Sequence, residues 1–155
     1  MRSATVSFAV VLTLGATGCT GSPGDDTGTV DDGPDCSGAS EYVDGLAETT
    51  PSGRTVKFVS ATPAPPDVGD NAWTFEVLDP SGAPEAGLSL EILPWMPMHG
   101  HGLVPPTYGS TETDAGTYEI EMFDLIMPGV WQFTVDTAAG TETPDEAVFM
   151  LCAEG

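Results

Sequence analysis

Basic side chains are nearly missing from this chain: lysine and arginine together number three in 155 residues, against 24 aspartates and glutamates, for a formal net charge of −21. A nucleic-acid partner is excluded, because polyanion binding requires phosphates to be neutralised by Lys and Arg. The same excess repels an anionic lipid surface and gently attracts cations, while also favouring solubility and colloidal repulsion. Histidine is as scarce, with two residues, and cysteine numbers three. No Ser-His-Asp or Cys-His arrangement with supporting spacing is present, and the carboxylates are scattered without a recognisable acid–base pair, so the chain does not read as an enzyme.

Long apolar runs are lacking too. Ala4 to Leu14 is an apolar run too short for a comfortable membrane span. With Arg2 before it and small residues as far as Gly18, residues 1–18 read as an export signal. Ala16-Thr17-Gly18-Cys19 resembles a bacterial lipobox, in which Cys19 becomes lipid-modified and begins the mature protein. Several acyl chains on one residue would anchor the protein firmly to a membrane. Thr20 is not the aspartate of an inner-membrane retention signal, so the outer membrane is favoured in a diderm cell. The other reading is an ordinary secretory signal with a cysteine nearby. Cleavage would remove Arg2 and leave Arg54 and Lys57 as the basic residues.

Residues 19–35 form an acidic tether. From Thr20 to Asp35 only Val30 is apolar, which cannot offset the entropy of ordering, so the segment reads as disordered. Its aspartates do not follow the calcium-loop spacing with a distal glutamate. With Cys19 assigned to lipid, Cys36 and Cys152 remain as an even pair in an oxidising setting, which points to a disulfide that stabilises by closing a loop of over a hundred residues. Two free thiols, one of them a metal ligand, are the alternative. Residues 36–52 form an N-terminal segment that such a bridge would tie down, with a short helical turn expected over Ala39 to Leu46.

Residues 53–155 carry the fold. Thr55–Ala61, Trp73–Leu78, Leu88–Leu93, Thr117–Met122, Val130–Asp136 and Ala147–Cys152 are short runs rich in β-branched and aromatic residues. Turn signals at Asp79-Pro80-Ser81-Gly82, Asp114-Ala115-Gly116 and Pro128-Gly129 separate several of them, and Pro63 to Asp70 is a proline-rich link. This pattern predicts an all-β, immunoglobulin-like antiparallel β-sandwich. Trp73 and Trp131 are the expected central aromatics, and Met122 and Met150 are placed in the core.

One stretch carries chemistry. Met96-Pro97-Met98-His99-Gly100-His101-Gly102 holds both histidines and two of the six methionines. Imidazole nitrogen and thioether sulfur are ligands for copper in its two oxidation states. In an extended segment His99 and His101 project to one side and can share an ion, while Met96 and Met98 face the other way unless Pro97 or Gly100 brings one round. Met127, at its own Met-Pro turn, is the distant candidate, because sandwich loops cluster at the ends of the sheets. Zinc suits the set less well, since no carboxylate lies within the motif. The plainer reading makes the methionines core filler and His-Gly-His a tight turn whose rings bond backbone groups.

These residues also carry a resemblance. Gly69-Asp70-Asn71-Ala72-Trp73-Thr74 after a Pro-Ala-Pro-Pro stretch, then the Met/His motif, then Gly116-Thr117-Tyr118, then Met127-Pro128-Gly129-Val130-Trp131 resemble the YtkA-like domain family, itself similar to FixH-type domains, over roughly residues 53 to 137. The resemblance implies an exported immunoglobulin-like sandwich, often on lipoproteins, and an association with copper handling. Met98 stands where the family's more usual form has an acidic residue. Two functions follow as expectations: a membrane-tethered copper-binding lipoprotein with Met96, Met98, His99, His101 and Met127 as ligands, or a metal-free structural or protein-interaction module that meets a partner protein at the cell envelope.

Overall fold

The structure, a computed structural model, describes residues 33–141 and 143–155. The export signal, Cys19 and most of the tether lie outside the described residues. Among the described residues ten strands follow in order: β1 Ala47–Thr49, β2 Thr55–Thr62, β3 Gly69–Leu78, β4 Glu91–Met96, β5 His101–Gly102, β6 Tyr108–Asp114, β7 Thr117–Ile120, β8 Phe123–Leu125, β9 Gly129–Asp136 and β10 Glu146–Ala153. All pairings are antiparallel, in the order β1-β2-β3-β7-β6-β4-β9-β10, with β5 added to β4 and β8 to β3. Strand β6 belongs to both layers, pairing β4 through Tyr108 and Gly109 and β7 from Ser110 to Asp114. The result is the expected all-β, immunoglobulin-like antiparallel sandwich, joined along β6 so that it nearly closes into a barrel.

Period-two alternation fills the space between the layers. Trp73, Phe75 and Val77 of β3 face Trp131, Phe133 and Val135 of β9, all buried, with more polar neighbours pointing outward. A bulge between Phe58 and Ser60 in β2 leaves Val59 exposed and returns Ala61 to the interior. Phe58 stands at the aromatic centre, with ring centroids 5.0 Å from Trp73, 4.5 Å from Phe75 and 5.2 Å from Phe149. Such offset and edge-on contacts contribute about 0.5–1.5 kcal/mol per pair beyond area burial. The buried Trp73 indole N–H has no hydrogen-bond acceptor among the described residues, so its place rests on packing.

Three expectations are corrected. No helical turn forms over Ala39 to Leu46, because its backbone bonds to the sheet edges instead. The Ser40 N–H donates to the Met150 carbonyl at 2.7 Å, the Gly45 N–H to Phe58 at 3.2 Å, and the Phe58 N–H to Leu46 at 2.9 Å. An isolated turn cannot compete, since nucleating a helix is costly. The strand expected from Leu88 begins only at Glu91, because side chains take the earlier amides: the Leu88 N–H donates to the Tyr118 hydroxyl and the Leu90 N–H to Ser110 Oγ, both at 3.1 Å. Met122 falls in the β7–β8 connection and is exposed, and Met150 points to the outer side of β10 and is only half-buried.

Two fastenings hold the ends. Cys36 and Cys152 form a disulfide across a Cα separation of 5.5 Å, joining the N-terminal segment to β10 over 116 positions. At the end where β2 starts, the buried Asp145 carboxylate accepts the Ser52 N–H (3.0 Å), the Ser52 hydroxyl (2.7 Å), Arg54 Nη1 (2.9 Å) and the Thr137 hydroxyl (3.0 Å). Burial opposes its charge, but the bonds from Ser52 and Arg54 prevail and hold the carboxyl well below the usual range. Arg54 also grips Glu85 with two bonds of 2.8 Å, and Glu85 first, with Asp145, keeps the guanidinium charged. Lys57 pairs with Glu76.

Candidate metal centre

Strand β4 ends at Met96 because Pro97 cannot donate to a ladder and the chain then reverses. The His99 and Gly100 amides donate to the Met96 carbonyl at 3.1 and 2.9 Å, and Gly100 takes the left-handed φ of +68° that closes the turn. Strand β5 returns along β4, pairing Met96 with His101 and Trp95 with Gly102. A Cβ on Gly102 would meet the Pro94 carbonyl at 2.7 Å and the Trp95 ring at 3.2 Å, so only glycine allows this approach. The motif is therefore a tight hairpin, and the extended geometry expected for it is replaced by a turn.

The turn nevertheless keeps the histidines together, with ring centroids 5.9 Å apart and planes at 60°. An imidazole nitrogen ligates a first-row ion at about 2.0–2.1 Å, so two rings sharing one ion stand roughly 5–6.5 Å apart. The spacing fits. His101 is half-buried beside the Trp131 ring at 6.3 Å, and its Nδ1 lies 3.3 Å from the Gly102 carbonyl oxygen. A carbonyl only accepts, so this bond places the proton on Nδ1 and leaves the Nε2 lone pair available for a ligand.

The methionines differ in placement. Met96 is buried, and a Cβ on Gly129 would stand 2.8 Å from its Cε, so the glycine that opens β9 makes the room this thioether occupies. Met98, next to His99, is 86% exposed. Met127 packs against the core, and its carbonyl accepts the Trp131 indole N–H at 3.0 Å. A cleft of about 760 Å³ opens at this end and is lined by Met96, Met98 and His99 but by neither His101 nor Met127. Gly33, Pro34 and Asp35, the last residues of the expected tether, form part of its wall, and Met150 and Glu154 reach it from β10 and beyond. Hydrogen bonds from the Ser37 hydroxyl and amide hold the Asp35 carboxyl below its ordinary value. Among the described residues no three His, Cys, Asp or Glu side chains converge as a metal site, and the cysteines are joined to each other. Soft thioether and imidazole donors suit copper better than zinc.

Residues 50–136 match the YtkA-like family. The chain belongs to this family. The YtkA-like match begins just before β2, spans the Met/His hairpin and the Met127-Pro128 turn, and stops at the end of β9. Strand β10, with Met150 and Cys152, falls beyond it. No curated protein and no solved structure matches the chain.

Sequence reasoning assigned Met150 to the core and so missed it as a cleft residue. The signal was available in the alternation of β10: Ala147, Phe149 and Leu151 point inward, which turns Val148, Met150 and Cys152 outward.

Proposed function

We propose that this YtkA-like domain is a copper-binding module, a chaperone or buffer exported from the cytoplasm and tethered to a membrane by lipid on Cys19, with the outer membrane favoured in a diderm cell. The role is binding and delivery, with copper as cargo and no catalytic step. The observation that carries the reading is the pair of imidazole rings 5.9 Å apart at the methionine-bearing end of the sandwich. His99 and His101 are the central ligands, with Met96, Met98 and Met127 as the thioether candidates. Calorimetric titration of the disulfide-bonded protein with Cu(II), and with Cu(I) under a reductant that spares the bridge, tests it. Tight one-to-one binding that a His99→Ala, His101→Ala double variant loses supports the assignment. Equal binding by that variant refutes the site.

A specific observation supports a second reading, a metal-free interaction module at the envelope. Trp95 and Val148 are 38% and 40% exposed on the outer side of the β4-β9-β10 layer. Aligned register brings Trp95 opposite Gln132, and Gln132 opposite Met150. This reading predicts that copper leaves the unfolding temperature unchanged.

A further inference from the structure

We propose that Met150 joins Met96, Met98 and His99 in the cleft as a ligand of Cu(I), making this a thioether-rich site for the reduced ion. The proposal rests on the copper reading above and adds to it a residue and an oxidation state. Three separate parts of the chain supply the donors. The end of β4 brings Met96, the hairpin turn brings Met98 and His99, and β10 brings Met150, all lining one cleft. Register aligns Met150 with Gln132 in β9 and Trp95 in β4 on the outer face of the layer, whereas Met96 faces inward, so the two thioethers reach the cleft from opposite faces of the sheet.

Three thioethers with one imidazole form a soft donor set. Such a set selects Cu(I), whereas imidazole-rich or carboxylate-rich sets suit Cu(II) and zinc. Among the described residues the cleft wall includes Asp35 and Glu154 and no lysine or arginine, so it favours entry of a cation. Burial divides the work between the thioethers. Met98, 86% exposed on a side chain with three rotatable bonds, can meet an arriving ion, while Met96, 2% exposed, is held in place against Gly129. His99 is the imidazole that lines the cleft, with His101 standing 5.9 Å from it, ring to ring, and against Trp131.

The test is anaerobic competition between the full-length, disulfide-bonded chain and a chromophoric Cu(I) chelator, with ascorbate as reductant and copper K-edge absorption on the loaded protein. Met150→Leu preserves side-chain volume at a half-buried position and is the main variant; Met122→Leu, at an exposed methionine outside the cleft, is the comparison. Loss of even a supporting partner of a metal ligand costs about 10–100-fold in affinity, so Met150→Leu is expected to weaken Cu(I) binding at least about tenfold and to shrink the sulfur shell. Met122→Leu is expected to leave Cu(I) binding unchanged. Wild-type copper binding that Met150→Leu leaves unchanged, or binding confined to Cu(II), overturns this inference and leaves the copper reading standing. A wild-type chain that binds neither ion overturns both.

Discussion

Replacing Asp145 with asparagine is the most discriminating perturbation of the fold, because three donors converge on a single oxygen. Oδ2 accepts the Ser52 hydroxyl, Arg54 Nη1 and the Thr137 hydroxyl, while Oδ1 accepts the Ser52 amide. An asparagine must turn its NH2 toward one of these two sets. Facing the first it meets three donors with a donor; facing the second it meets the Ser52 N–H. Either way the ion pair with Arg54 is lost at a site 8% exposed. Hydrogen bonds to a charged group contribute about 1.5–3 kcal/mol each, and breaking a buried pair costs about 3–5 kcal/mol. Arg54 keeps both bonds to Glu85, so the lower part of that range, about 3 kcal/mol at pH 7, is expected. Urea unfolding followed by tryptophan fluorescence reads the loss as a lower midpoint at unchanged slope. Asp145 is depressed in the folded state, so its contribution is fully present above the unfolded value of about 3.9 and fades as pH falls below it. The gap between wild type and variant should therefore hold from pH 7 to about pH 5 and narrow below about pH 4. A loss under about 1 kcal/mol, the scale of an exposed pair, or a gap independent of acid would refute the account of Asp145 as a buried anchor.

Removing the bridge with Cys36→Ser and Cys152→Ser frees a closure over 116 positions, for which the chain-entropy relation gives a loss of about 5 kcal/mol; urea unfolding of the oxidised protein and the double variant measures it. Gly116→Ala is expected to cost about 2–4 kcal/mol, because its Cβ would meet Pro84 Cβ at 2.8 Å and the Glu85 amide nitrogen at 2.9 Å while φ is held at +75°. Gly82→Ala, at φ +86° with nothing within 4 Å of the added carbon, should cost only about 1–2 kcal/mol for the backbone conformation. Equal losses in the two alanine variants, read by thermal unfolding, would show that crowding at Gly116 is absent.

The sheet was legible where burial is one-sided. Trp73/Phe75/Val77 alternate cleanly, and β2, β3, β7, β9 and β10 all lie where apolar alternation put them, within a few residues at their ends. Strand β6, Tyr-Gly-Ser-Thr-Glu-Thr-Asp, was not, because it turns between the two layers and buries almost nothing through its own side chains. Its position is dictated by β7 and β4 on either side, which is tertiary information. The late start of β4 was hidden for a related reason. Leu88 and Leu90 alternate like a strand, but their amides are taken by Tyr118 and Ser110, side chains 30 and 20 positions away. The disulfide could be read from the parity left once Cys19 is set aside, given the oxidising setting expected from the N-terminal segment. At the site, the clustering of His99 and His101 was visible and their geometry was not, since the left-handed Gly100 turn replaces the alternation that an extended reading assumes. Met150 is linked to the motif only by the cleft that both line, which is tertiary information.

The distribution of charge links stability to the cleft. Arg54 is held by Glu85 and Asp145, and Lys57 by Glu76, so both basic residues of the described chain are neutralised within the fold and neither lines the cleft. The acidic excess is thus uncompensated at the end where His99 and the methionines stand, with Asp35 and Glu154 in the cleft wall. Exposed carboxylates act over about 8 Å at physiological ionic strength, so on the proposed copper reading they influence how fast the ion arrives more than how tightly it is held. The Asp145 anchor lies where β2 begins and just before β10, whereas the cleft lies where β4 ends and β9 begins. Substitution at one end leaves every donor at the other in place. An Asp145→Asn protein below its unfolding transition should therefore bind copper as the wild type does, and a loss of binding without unfolding would mean that the two ends are coupled through β9 and β10.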